Sequence, residues 1–253
     1  MSTPPPEMLK RPDGPALAYR HVAGEGPTLV FLPGFKSDME GTKALALYAH
    51  SRMTGQAMLR LDYSGHGASE GQFEEGTIGQ WTADALAVID HVSRGPLILV
   101  GSSMGGWIAL LVALARKDRV KGLVGIAAAP DFTEDLMWQT YSREIRTEIM
   151  EKGIYMEPSD YGEPLPITRR LIEDGRDHLL LDRPIPLTCP VHLIQGMRDE
   201  DVPWETALRI LEQLESEDVE LTLVKTGDHR LSEPRDLARL TAAVDRMVEK
   251  VGG

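Results

Sequence analysis

The chain has 253 residues, 42% hydrophobic and 26% charged, with a net charge of -12 at pH 7. That length fits one α/β domain with an insertion, and the acidic surplus argues against a nucleic-acid or anionic-membrane surface, since both attract basic faces. A single cysteine, Cys189, excludes an intrachain disulfide and a thiolate-built metal site, and no stretch approaches the roughly 20 apolar residues that span a bilayer.

The first ten residues, MSTPPPEMLK, lack the apolar core of a signal peptide and the basic character of a transit peptide, so a cytoplasmic location is expected. Pro4 to Pro6 read as an extended lead-in. Residues 16–22 and 28–32 are strand-like, and the turn residues Gly24, Glu25 and Gly26 between them predict an antiparallel pair. The second strand ends in Leu32-Pro33-Gly34-Phe35, which leaves the Phe35 amide in a loop at the sheet edge, a place for an oxyanion donor.

A helical pattern over 42–53 and a buried strand over 57–61 follow, and the strand ends in the glycine-rich DYSGHGAS. His66 within it precedes the serine motif described next and is read as structural or pocket-lining. Thr77 and Gln80 are spaced as a capping box for a helix whose apolar face is Ile78, Trp81, Ala85, Val88 and Val92.

Residues 97–100 are four apolar residues without polar alternation, as in a strand buried on both faces. Gly101, Ser103 and Gly105 then fit G-x-S-x-G, and Ile108, Leu111, Val112 and Ala115 recur at helical spacing. A strand, a sharp turn with serine at its apex and a helix make a nucleophile elbow. Ser103 is the candidate nucleophile, and the Met104 amide at the helix N-terminus is the second candidate oxyanion donor.

A strand over 123–128 continues an alternation that builds a parallel sheet. From 131 to 183 the alternation lapses. Thr133 is positioned to cap a helix ending at Gly153, a proline-punctuated stretch follows, and a shorter helix spans 167–174 before Gly175. No strand is expected there. The domain reading is a core of residues 1–130 and 184–253 with residues 131–183 as a small helical lid, whose Trp138, Tyr141 and Met150, with Met137, Tyr155 and Met156, are candidate acyl-pocket residues.

The sheet resumes over 191–195. In the loop 196–204, Asp199 lies nearer the strand end than Asp201 and is the candidate triad acid. After a last strand over 219–224, His229 is the one histidine in the loop beyond it and the candidate base; Ser232 is placed to cap the final helix. Ser103, Asp199 and His229, in that order, predict an α/β-hydrolase fold, a mostly parallel sheet flanked by helices with a small helical lid. The chemistry expected is acyl transfer through an acyl-enzyme, with no metal or cofactor. A carboxylesterase, a serine peptidase and a non-catalytic ligand receptor are the competing readings.

FLPGFKSDMEGTKA (31–44), LDYSGHGASEG (61–71), LVGSSMGGW (99–107), PIPLTCPVHLIQGMRDEDVPW (184–204) and DHR (228–230) resemble the abhydrolase family of palmitoyl-protein thioesterases and acyl-glucuronide esterases. The likeness runs from about residue 28 to the C-terminus and is weakest in the lid. It implies a serine hydrolase acting on S-acylated proteins or small acyl esters, with Ser103, Asp199 and His229 as triad. Gln195 stands where many relatives carry histidine, and the chain resembles a bacterial-type member.

Overall fold

The computed structural model describes residues 5–158 and 163–252. Eight strands share one sheet: β1 (Glu7–Arg11), β2 (Gly14–Val22), β3 (Glu25–Leu32), β4 (Gln56–Leu61), β5 (Leu97–Ser102), β6 (Val120–Ile126) and, beyond an excursion that carries the separate hairpin β7 (Ile154–Glu157) and β8 (Leu165–Thr168), β9 (Val191–Gly196) and β10 (Val219–Val224). Their spatial order is β1-β2-β4-β3-β5-β6-β9-β10. β2 runs antiparallel to both its neighbours, and from β4 onward every pairing is parallel.

The expected pairing of β2 with β3 does not form. β4 lies between them, antiparallel to β2 and parallel to β3. The Gly24 turn crosses the start of β4 so closely that a Cβ at Gly24 would sit 2.4 Å from the Ala57 nitrogen. Glu25 N–H donates to Gly55 O at 2.9 Å, and the Gln56 side chain donates to the carbonyl of Glu25. The turn is a crossing rather than a hairpin. The proline lead-in passes directly into β1; Pro4 lies outside the described residues.

Apolar patterning divides the helices between the two faces. Leu97 and Leu99 of β5 enter one core, together with α2 (Ile78–Val92), α3 (Met104–Ala115) and Ile210 of α6 (Glu205–Gln213). Ile98 and Val100 enter the other, with α1 (Thr42–Thr54) and α7 (Pro234–Val251). Strand alternation explains the division, and burial on both sides explains why no polar residue interrupts 97–100. Half of the capping box forms: Thr77 Oγ1 accepts from Gln80 N–H, but the Gln80 side chain donates to Asp84. Ser232 does not cap α7, which starts with Glu233 at the N-cap and Pro234 in its first turn, where a missing N–H costs nothing.

Between β6 and β9 the single helix expected from Thr133 is broken. Residues Thr133–Trp138 form a π-helical turn and α4 (Arg143–Lys152) begins afresh, capped by Ser142 and closed by left-handed Gly153. Gly153 turns the chain into β7, so the expectation of no strand here fails; four-residue strands are too short to show a period. α5 (Arg169–Arg176) follows, capped by Thr168. Asp131, at a positive φ of 62°, accepts amides from Leu180 and Leu181 and so joins the two ends of this excursion. Part of the proline-punctuated stretch, 159–162, lies outside the described residues. Among the described residues, no helix is long and apolar enough to cross a membrane.

Candidate active site

β3, β5, β9 and β10 run parallel, so the loops leaving their C-terminal ends gather at one edge of the sheet, where open α/β sheets bind ligands. Ser103 follows β5 at φ 54° and ψ -122°, a conformation that side chains rarely adopt. The flanking glycines make room for it. A Cβ at Gly101 would fall 2.2 Å from Gly105 O, and one at Gly105 would fall 2.0 Å from Leu32 O. Both obstacles are main chain, so neither position tolerates a side chain without moving β3 or the elbow itself.

The structure brings the three residues singled out by chain order together. His229 Nε2 lies 3.1 Å from Ser103 Oγ, and His229 Nδ1 lies 2.9 and 3.1 Å from the two carboxylate oxygens of Asp199. A carboxylate only accepts, so the Nδ1 proton is directed at Asp199 and the Nε2 lone pair is left for the serine hydroxyl. The Asp199 side chain is fully buried and His229 is one-fifth exposed. Asp199 Oδ1 accepts the amides of Asp201 and Val202, and Oδ2 accepts Gln195 Nε2 at 2.9 Å. Asp201 is exposed and supplies an amide to this arrangement.

Ligand atoms of Asp199, Asp201 and His229 fall within 4.8 Å of one another, the one such trio of potential metal ligands among the described residues. Asp199 and His229 already direct those atoms at each other.

The loop after β3 lies against the serine. A Cβ built on Gly34 would be 3.3 Å from Ser103 Cβ. Among the described residues, neither the Phe35 nor the Met104 amide donates to a protein acceptor, which leaves two N–H groups beside Ser103 for a ligand.

A cavity of about 480 Å³ opens over Ser103 and His229, walled by Phe35, Lys36, Lys43 and Leu165 among others. Lys43 donates to the carbonyl of Arg230, next in chain to His229. Burial pulls its ammonium down to about 8, with Asp228 and Asp199 acting in the opposite direction and Arg230 reinforcing the drop.

Trp138, Tyr141 and Met150 are not among the cavity's described walls. Tyr141 is buried with Ile149, Ile167 and Ile172 in a small core of the excursion's own. Trp138 packs on that core with the guanidinium groups of Arg146 and Arg176 over its ring. Met150 is half-buried on α4. Met137 and Tyr155 pack on the same small core, and Met156 is exposed. Among the described residues, the excursion reaches the cavity through Glu163 and Leu165; sequence reasoning missed Leu165 because the four-residue β8 carries no readable period, and Glu163 lies just ahead of that strand. Lys43 was missed as well; a lysine on the first turn of a helix carries no signal of its own. Cys189, half-buried ahead of β9, packs on the larger core.

Comparisons with known proteins bear on the family and the fold. The family Hydrolase_4, described as serine aminopeptidase, S33, matches residues 27–157. The human mitochondrial palmitoyl-protein thioesterase ABHD10 is 41% identical over 246 residues, covering 96% of this chain and 80% of its own. A putative hydrolase from Agrobacterium vitis superposes with a TM-score of 0.92 at 45% identity, covering 97% of this chain and 100% of that one. The structure of mouse alpha/beta hydrolase domain-containing protein 10 gives 0.90 at 40% identity, covering 97% and 98%. With a family match across half its length and two-fifths identity along nearly all of it, this chain belongs to the Hydrolase_4 family of α/β-hydrolases.

Proposed function

We propose that the protein hydrolyses acyl thioesters and esters, of small molecules or S-acylated proteins, through an acyl-enzyme on Ser103. The observation that carries this reading is His229, hydrogen-bonded on one side to Ser103 and on the other to the buried Asp199. The palmitoyl-protein thioesterase activity named for the mammalian relatives supports the substrate class.

In the first half-reaction, Ser103 Oγ attacks the acyl carbon while its proton passes to His229 Nε2. Asp199 holds the tautomer and stabilises the imidazolium. The carbonyl oxygen becomes an oxyanion that receives hydrogen bonds from the Phe35 and Met104 amides. Collapse breaks the carbon–sulfur or carbon–oxygen bond, and His229 returns the proton to the leaving group. Water then repeats the sequence on the acyl-enzyme, giving the free acid and regenerating Ser103. Residues 131–183 act as a lid that reaches the acyl group through Leu165.

The family description, serine aminopeptidase, favours a second reading, amide hydrolysis at the same residues. An amine leaves more reluctantly than a thiolate and depends more on His229 as acid. Fluorophosphonate labelling of wild type and Ser103→Ala, with parallel assays on a palmitoyl thioester, a p-nitrophenyl ester and an aminoacyl amide, tests both. Thioester and ester turnover that is lost with the label in Ser103→Ala supports the proposal. Turnover of the amide alone favours the peptidase, and turnover retained in Ser103→Ala refutes both.

A further inference from the structure

Residues 62–66 hold the loop after β3 at three points. Asp62 Oδ1 accepts the Met39 amide at 2.7 Å, Tyr63 OH donates to Pro33 O at 3.1 Å, and His66 Nε2 accepts the Lys36 amide at 3.3 Å. The third contact falls one residue beyond Phe35.

The loop needs such a tether. Lys36 sits at φ 58°, a left-handed conformation that a lysine adopts only when its surroundings impose it. The Ser37 amide donates to Gly34 O, closing a turn around residues 34–37. With Lys36 N–H anchored on His66, the peptide planes on both sides of the Phe35 Cα are fixed, including the one whose N–H is free beside Ser103.

His66 is built to accept. It is 4% exposed, and its ring stands edge-on to Tyr63, Phe73 and Trp81 at centroid distances of 5.0 to 5.5 Å. Nδ1 faces the carbonyl of Ser64 at 3.3 Å, so the ring proton belongs there and Nε2 presents its lone pair to Lys36. Burial holds the ring neutral by pulling its pKa down to about 4; the Ser64 bond opposes this, Lys36 adds to it, and Asp84 and Asp38 oppose it. A phenylalanine could fill the same aromatic nest but offers the Lys36 amide no acceptor.

We infer that His66 is a positioning residue for the oxyanion site, its Nε2 holding the Lys36 amide so that the Phe35 N–H is fixed for the tetrahedral intermediate formed at Ser103. The inference rests on the reading of Ser103 as nucleophile. The experiment compares wild type, His66→Phe, His66→Gln and Ser103→Ala, each checked by circular dichroism for native fold. Steady-state hydrolysis of a p-nitrophenyl ester is measured beside inhibition by a trifluoromethyl ketone, which becomes an oxyanion on the enzyme, and by the corresponding trifluoromethyl carbinol, a neutral alcohol with no carbonyl for Ser103 to attack.

His66→Phe is expected to lower kcat about 10-fold or more with KM within about 3-fold, the pattern of an interaction made only in the transition state. The ketone should weaken by a similar factor while the carbinol binds as before. His66→Gln, whose amide oxygen can accept from Lys36, should recover part of both losses, and it carries the test if His66→Phe does not fold. Unchanged kcat in a folded His66 variant overturns the inference, as does a kcat loss without weaker ketone binding. If Ser103→Ala is inactive while the His66 variants are normal, the inference alone falls. If Ser103→Ala stays active, the nucleophile reading falls and takes this one with it.

Discussion

Gln195 Nε2 donates to Asp199 Oδ2 at 2.9 Å and also approaches the carbonyls of Val202 and Gly196, so three acceptors fix the orientation of its amide. The remaining oxygen, Oε1, is buried without a partner among the described residues. Gln195 thus leaves one polar group unsatisfied while supplying a neutral donor to a buried carboxylate that also faces His229.

Removing that donor while keeping the volume tests its value. Gln195→Leu should lower kcat/KM about 10- to 100-fold, since a hydrogen bond to a charged group contributes about 1.5–3 kcal/mol. Gln195→Glu should do more damage, because two carboxyls at hydrogen-bond distance cannot both ionise and the proton they share competes with the one on His229. Ester hydrolysis between pH 5 and 9 reads both effects. A Gln195→Glu enzyme with the wild-type pH profile would contradict the expectation.

Asp199→Asn and Asp201→Asn separate the two aspartates of one loop. The amide in Asp199→Asn favours the wrong His229 tautomer, and kcat should fall by roughly 10⁴-fold, as it does for the corresponding change in a serine protease. Asp201 contributes its backbone amide, which the substitution retains, so Asp201→Asn should stay within about 3-fold. Matched kinetics on one ester decide it.

Acyl-chain selectivity should follow the cavity wall rather than the apolar stripe. Leu165→Ala is expected to shift kcat/KM between short and long acyl thioesters, with each buried methylene worth about 0.8 kcal/mol. Trp138→Ala, which removes a ring packed on the excursion's own core, should lower thermal stability while leaving the chain-length profile unchanged. A chain-length series run on both variants makes the comparison.

His66 and Asp62 give stability opposite dependences on pH. Burial pulls His66 from 6.5 down to about 4, so between those values the unfolded chain binds a proton that the folded one does not, and stability falls as pH drops. Burial pushes Asp62 from 3.8 up to about 6, so over nearly the same range the folded chain binds the extra proton and stability rises as pH drops. Each effect amounts to about 3 kcal/mol between neutral pH and pH 4, and they nearly cancel. Asp62→Asn should therefore lose stability steeply on acidification, and His66→Phe should gain it relative to wild type. Urea unfolding at pH 4.5, 5.5 and 7 measures the three slopes.

What could be read from the residues alone was whatever short-range sterics or chain order dictates. Gly101, Ser103 and Gly105 announce the elbow because main-chain oxygens stand where side chains would go, and Asp199 and His229 follow in the order that the fold imposes. The position of β4 between β2 and β3 could not be read, since which strands pair is settled by contacts far apart in sequence and the Gly24 turn is as compatible with a crossing as with a hairpin. Trp138 and Tyr141 show why an apolar stripe does not identify a pocket: the same spacing serves a miniature core. Leu165 and Lys43 came to light only when the fold brought their segments to the sheet edge, and His66 showed its acceptor role only through a backbone amide thirty residues earlier in the chain.

The clasp at Asp131 has a bearing on how such an enzyme can diversify. One carboxylate receives amides from 49 and 50 residues further along, so the two ends of the excursion are tied together before the chain runs on to the start of β9. Little of the strain of rebuilding what lies between would reach β6 or β9. An interchangeable cassette, with Asp131 and Leu180 as its terminals, would let the surface that carries Leu165 be redrawn while Ser103, Asp199 and His229 stay on the turns and loops that follow β5, β9 and β10, outside the exchanged segment.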